Sequence, residues 1–183
     1  MKIVVAVTAA SGSLYASLLL EQLAGCGQVE QVALIWSANA RAVAEHEGVE
    51  MPRHAKIVEY DNDDMFGSPA SGSADWDAMV VIPSSVGTVG RVASGVSQTL
   101  IERAADVMLK ERRRLIFVVR ETPLSLIHLR NMTALTEAGA VILPAAPSFY
   151  SRPADIRTLC MTVVERVVAL LGIEAPHYKW GDC

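Results

Sequence analysis

MKIVVAVTAASGSLYASLLLEQL, residues 1–23, decides the fold. Ile3 to Val7 is an unbroken apolar run, mostly β-branched, as expected of a strand covered on both faces. The small residues from Ala9 to Ser13 make a tight turn. Leu14, Leu18, Leu19 and Leu23 then recur at intervals of three and four, which predicts a helix that Gly25 and Gly27 stop. Strand, tight turn and helix open a parallel α/β unit.

The same alternation continues outward. Val32 to Trp36 predicts a second buried strand, and Ser37 stands where it can cap a helix from about Ala38 to Glu47. A short strand near Lys56 to Tyr60 leads into DNDDMFGSPASGSADW, residues 61–76, a polar irregular loop of a length usually tied to function. Ala78 to Ile82 predicts another strand, followed by a turn at Pro83 to Gly87 and a helical pattern through Ala104 to Arg112. Leu115 to Val119 (strand), Leu124 to Ala138 (helix), Ala140 to Leu143 (strand) and Asp155 to Leu171 (helix) complete the series. The expectation is an α/β fold: a Rossmann-like (flavodoxin-like) doubly wound parallel sheet in a three-layer sandwich. It forms one domain over 1–183, with a tail from about 172 packed on the site or on a neighbouring subunit. In such sheets ligands bind outside the carboxyl ends of the strands.

Composition narrows the function. Sixteen basic and twenty acidic residues leave a formal charge of −4, which gives no long-range attraction for nucleic acid or an anionic membrane. Any anion site must be local. No apolar stretch reaches the roughly 18–20 residues needed to span a bilayer, and the start reads directly into a strand instead of a leader, so a cytoplasmic protein is expected. Cys26, Cys160 and Cys183 form no CxxC pair and read as reduced thiols. His46, His54, His128 and His177 share no metal-ligand spacing, so no metal is expected.

The strand ends carry the chemistry. Thr8-Ala-Ala-Ser-Gly-Ser13, Ser37 and Pro83-Ser-Ser-Val-Gly-Thr88 combine hydroxyls with helix N-termini, which together cradle phosphate without net positive charge. G-x-G-x-x-G, G-x-x-x-x-G-K and G-x-S-x-G are all absent, which disfavours dinucleotide, ATP and serine-hydrolase readings and leaves a mononucleotide such as FMN. Arg103, Lys110, Arg120 and Arg166 form a dispersed basic group. Lys110 to Arg114 by itself reads as a solvated helix end. Arg120 follows an apolar strand directly, with Glu121 beside it, and should emerge at the ligand edge, where a guanidinium suits phosphate and a carboxylate can move protons.

Several segments together resemble the UbiX-type flavin prenyltransferases: TAASGS at 8–13, SANARAVAEHE at 37–47, SPASGS at 68–73, IPSSVGTVGRVASG at 82–95, LIERAADVMLKERRRLIFVVRETPLSLIHLRNM at 100–132 and GAVILPAAPSFYSRP at 139–153. The resemblance runs over nearly the whole chain. It implies transfer of a dimethylallyl group from dimethylallyl monophosphate to N5 and C6 of reduced FMN, without a metal, to make a cofactor for a UbiD-type decarboxylase. It also implies a homododecamer whose sites lie between subunits.

By resemblance, Ser11, Glu47, Lys110 and Glu121 are catalytic, and Thr8, Ala10, Ser11, Gly12, Ser37, Ser84, Ser85, Gly87, Thr88 and Arg120 contact FMN. Arg103, Lys110, Arg120, Tyr150 and Arg166 grip the prenyl phosphate, while Met65, Ser71 and Trp180 line the prenyl pocket. The chain departs from the family pattern at Ala9, Ser84, Arg114 and Ser151, and it has Met65 or Phe66 where some members place a Trp. A cysteine decarboxylase of the same fold is the first rival, disfavoured because Pro83 to Thr88 lacks the Asn of its turn. The second is a flavin-binding subunit of an aromatic acid decarboxylase complex, which would have no use for the carboxylates and cations.

Overall fold

The apolar runs read above pair as one sheet. In a computed structural model that describes residues 1–174 and 181, the strands are β1 (Lys2–Val7), β2 (Gln31–Trp36), β3 (Ile57–Tyr60), β4 (Ala78–Ser84), β5 (Arg114–Val119) and β6 (Val141–Pro144). All are parallel, in the order β3-β2-β1-β4-β5-β6. Alternation along β1 separates two cores. Ile3, Val5 and Val7 pack under α1 (Ser13–Gly25), α2 (Ala40–His46) and α6 (Ile156–Leu170). Val4 and Ala6 pack under α3 (Val86–Ala93), α4 (Leu100–Lys110) and α5 (Leu126–Glu137). The sandwich is therefore three-layered and doubly wound, as expected. Chain direction across the sheet reverses between β1 and β4, so a crevice opens at their carboxyl ends.

Three local expectations are corrected. The helical pattern after Gly87 is two helices, not one: Gly95 turns the chain at φ 72°, and Thr99 starts α4 with a reciprocal capping box to Glu102. The helix after β2 starts at Ala40, with Asn39 at the cap position and no side-chain cap. Ser37 instead accepts the Ala40 amide on its carbonyl and donates its own amide to Val7. Finally, Lys110 to Arg114 is not simply a solvated end: α4 stops at Lys110, Arg113 reaches inward to the Gly72 carbonyl at 2.8 Å, and Arg114 begins β5.

Several large apolar side chains remain outside. α5 buries only Leu135, while Ile127 is 69% exposed, and Phe149 and Ile156 beyond β6 are 70% and 72% exposed. No helix of the described residues is long and apolar enough to cross a membrane.

Candidate active site

Thr8 ties the two sides of the crevice together. Its amide and hydroxyl both donate to the Pro83 carbonyl, at 3.2 and 2.8 Å, and its Oγ1 accepts the Ser85 amide at 2.8 Å. Ser85 caps α3 by accepting the Thr88 amide, and the two hydroxyl oxygens lie 3.1 Å apart. Thr8, Ser84 and Thr88 are buried, so they fix the turns from behind.

The first turn is held by a carboxylate from α2's end. Gly12 and Ser13 donate their amides to the two oxygens of Glu47, each at 2.8 Å. Burial works against the ionised carboxyl. The Ser11 hydroxyl, the Gly12 and Ser13 amides and the Ser13 hydroxyl outweigh it, so Glu47 is held below its ordinary value. Gly12 adopts φ 106°, and a Cβ there would come within 2.9 Å of the Tyr15 ring, so only glycine fits. The Gly12 and Ser13 amides at the start of α1 are therefore already engaged by Glu47.

A cleft of about 410 Å³ is lined by Ala9, Ser37, Asn39, Asn62, Ser85, Thr88, Arg91, Gln98, Thr99 and Glu102. Arg91 donates through Nε to Glu102 at 2.5 Å and through Nη2 to Thr88 Oγ1 at 3.3 Å. Glu102 is 3% exposed, and its second oxygen accepts the Gln98 and Thr99 amides. Burial opposes its ionisation, but Arg91 and the two amides prevail and hold its carboxyl below the ordinary value. Sequence reasoning missed Arg91, Asn39, Asn62 and Gln98.

The remaining expected residues fall into three groups. Arg120 emerges beside the cleft, its amide donating to the Ser84 carbonyl, with Nε buried and without a hydrogen-bond partner among the described residues. Next to it Glu121 is exposed, accepting, among the described residues, the Thr122 amide at 3.0 Å. Arg103 and Lys110 line α4 against the loop that follows β3. Arg103 donates to the Ala70 carbonyl at 3.0 Å and pairs with Asp106, and Lys110 pairs with Glu111. Ser71 lies there too, 2.9 Å from the Ser73 hydroxyl, and Met65 and Phe66 are exposed on the same loop.

Arg166 is exposed on α6, on the opposite face of the sheet from α4, and Tyr150 is 69% exposed beyond β6. A single chain therefore does not gather Arg103, Lys110 and Arg166 round one point. Trp180 lies outside the described residues. Ala10 and Gly87 keep the turns narrow, and a Cβ at position 87 would lie 3.4 Å from Arg91 Nη1.

A doubly wound sheet whose crevice pairs hydroxyls with one fixed guanidinium, and has no glycine-rich dinucleotide loop, defines a mononucleotide-binding α/β protein. A family model described as Flavoprotein matches residues 1–172. The chain is 42% identical over 185 residues to a flavin prenyltransferase UbiX of Methanocaldococcus jannaschii, covering 99% of each. It matches a solved dodecameric FMN-dependent Ubix-like decarboxylase from Escherichia coli O157:H7 with a TM-score of 0.90 at 36% identity, covering 98% of this chain and 99% of the other. It also matches AnUbiX (PadA1), solved with FMN and dimethylallyl pyrophosphate, with a TM-score of 0.85 at 38% identity and 98% of each covered. The chain belongs to the flavoprotein family and, within it, to the UbiX-type flavin prenyltransferases, which are transferases.

Proposed function

We propose that this chain is a cytoplasmic enzyme of one flavoprotein domain that joins a dimethylallyl group to reduced FMN, taking it from dimethylallyl monophosphate. The allylic C–O bond breaks with its electron pair leaving on phosphate, and the freed carbon bonds to N5. N5 gives up its proton as that bond forms. Protonation of the remaining double bond at its inner carbon makes the far carbon electrophilic; that carbon bonds to C6, and C6 then loses its own proton. The observation that carries the reading is the shared edge of the sheet, where the hydroxyl-lined cleft opens beside Arg120 and Glu121. A guanidinium stabilises a departing phosphate most where water is excluded, and the exposed carboxylate next to it, bonded to the Thr122 amide, is placed to move a proton. A decarboxylase reading leaves Glu121 and the dispersed cations without a task.

Anaerobic incubation of the protein with reduced FMN and either the mono- or the diphosphate donor should yield flavin heavier by one C5 unit, more readily from the monophosphate. Flavin of unchanged mass in both mixtures would sink the reading. The product is proposed to serve a UbiD-type decarboxylase.

We further propose that the working form is a homo-oligomer, a dodecamer like that of the similar E. coli protein, because two features of the chain stand incomplete alone. Ile127 on α5, Phe149 after β6 and Ile156 on α6 leave large apolar side chains exposed. Arg166 on α6 lies on the opposite face of the sheet from Arg103 and Lys110 on α4. Light scattering should give a mass near twelve times 19.7 kDa, and a fully active monomer contradicts this.

A further inference from the structure

With a net charge of −4, affinity for an anionic ligand must come from groups fixed in place, and among the described lining residues of the cleft Arg91 is the only cation. Its orientation is over-determined. Nε is held by Glu102, whose other oxygen is engaged by two amides at the start of α4 and so cannot swing away. Nη2 lies 3.3 Å from the Thr88 hydroxyl. Nη1 runs beside Gly87, where no side chain covers it. A guanidinium keeps donors to spare after such a grip. Those of Arg91 stand next to the Ser85 and Thr88 hydroxyls and the N-terminus of α3, so fork, hydroxyls and helix end converge on one point. That combination suits a terminal phosphate monoester. At the start of α1 the Gly12 and Ser13 amides are already engaged by Glu47.

Resting on the reading of FMN as the flavin, we propose that Arg91, positioned by Glu102, binds the phosphate of the mononucleotide and makes this chain select FMN over unphosphorylated flavin. The selectivity depends on this arrangement of α3 and α4, since the cation comes from within α3, three residues after Thr88, and not from the turn itself.

The test is a pair of titrations of the full chain, with FMN and with riboflavin, followed by flavin fluorescence. Arg91→Met should weaken FMN binding roughly ten- to a hundred-fold, the loss of a charge-assisted contact, and leave riboflavin affinity unchanged. Arg91→Lys should fall between, because an ammonium keeps the charge and loses the fork. Arg91→Met also leaves the Glu102 carboxylate buried without its partner. The double variant Arg91→Met, Glu102→Gln removes both charges and should show the same selective loss in a chain that remains folded. Equal losses for FMN and riboflavin, or no loss for FMN, overturn the proposal. A wild-type chain that binds neither flavin overturns the FMN reading itself and takes this inference with it.

Discussion

Glu121→Gln slows prenyl transfer by about a hundred- to ten-thousand-fold, the usual contribution of a positioned acid or base, while FMN affinity and the melting temperature stay as they were. The separation follows from the position of the residue. Glu121 is exposed just past β5 and accepts, among the described residues, a single hydrogen bond, from the Thr122 amide. An amide oxygen at the same place accepts that bond equally well, so glutamine preserves the turn. What glutamine cannot do is take up or release a proton. Single-turnover spectra of pre-bound reduced FMN read the chemical step, and flavin titration reads the binding. A variant that transfers at the wild-type rate removes Glu121 from proton transfer. One that loses FMN binding assigns it to the cleft instead.

Glu47→Ala lowers stability by about 2–5 kcal/mol, because two amides, at Gly12 and Ser13, lose a charged acceptor and one lies in a nearly dry setting. For a chain of this size that is a fall of roughly 5–15 °C in melting temperature. The effect depends on pH with a defined sign. The folded carboxyl lies below its ordinary value of 4.5, so the native state favours the ionised form. The stabilisation is fully present above that value and drains away as pH falls through the lower folded value. Melting curves of wild type and variant should therefore lie well apart near neutrality and draw together in acid. Curves that stay parallel at every pH contradict a charged anchor. Glu47 acts here on the turn that carries Ser11, so flavin binding should weaken in step with the loss of order. This differs from Glu121, whose effect is confined to the rate.

The sheet was legible because its strands are buried on both faces. Val32 to Trp36 and Leu115 to Val119 are continuous apolar runs, and a run of that kind bounded by turn residues has few alternatives in a chain without a bilayer-length segment. The break between α3 and α4 was not legible as a break. Apolar periodicity resumes on the far side of Gly95 to Gln98 with much the same spacing, and one glycine inside a helical pattern does not by itself end it. The placement of Ser37 failed for another local reason: Ser37 and Asn39 both have capping side chains, and the contact that decided between them is the Ser37 amide reaching back to Val7 on the neighbouring strand.

The site divides in the same way. Hydroxyls at the ends of β1, β2 and β4, and Arg120 with Glu121 after β5, follow from one rule: residues just beyond parallel strands meet at one edge. Chain order alone therefore determined the sheet, its two covering layers, the edge at which the ligand binds and the turns that face it. Tertiary structure alone decided that Glu47 closes the first turn 35 residues earlier, that Arg91 faces the cleft because a buried glutamate holds it there, and that Arg103 and Arg166 end on opposite faces. Periodicity specifies which side of a helix is apolar. Where a charged side chain points is set by partners distant in sequence, and those exist only once the layers have packed.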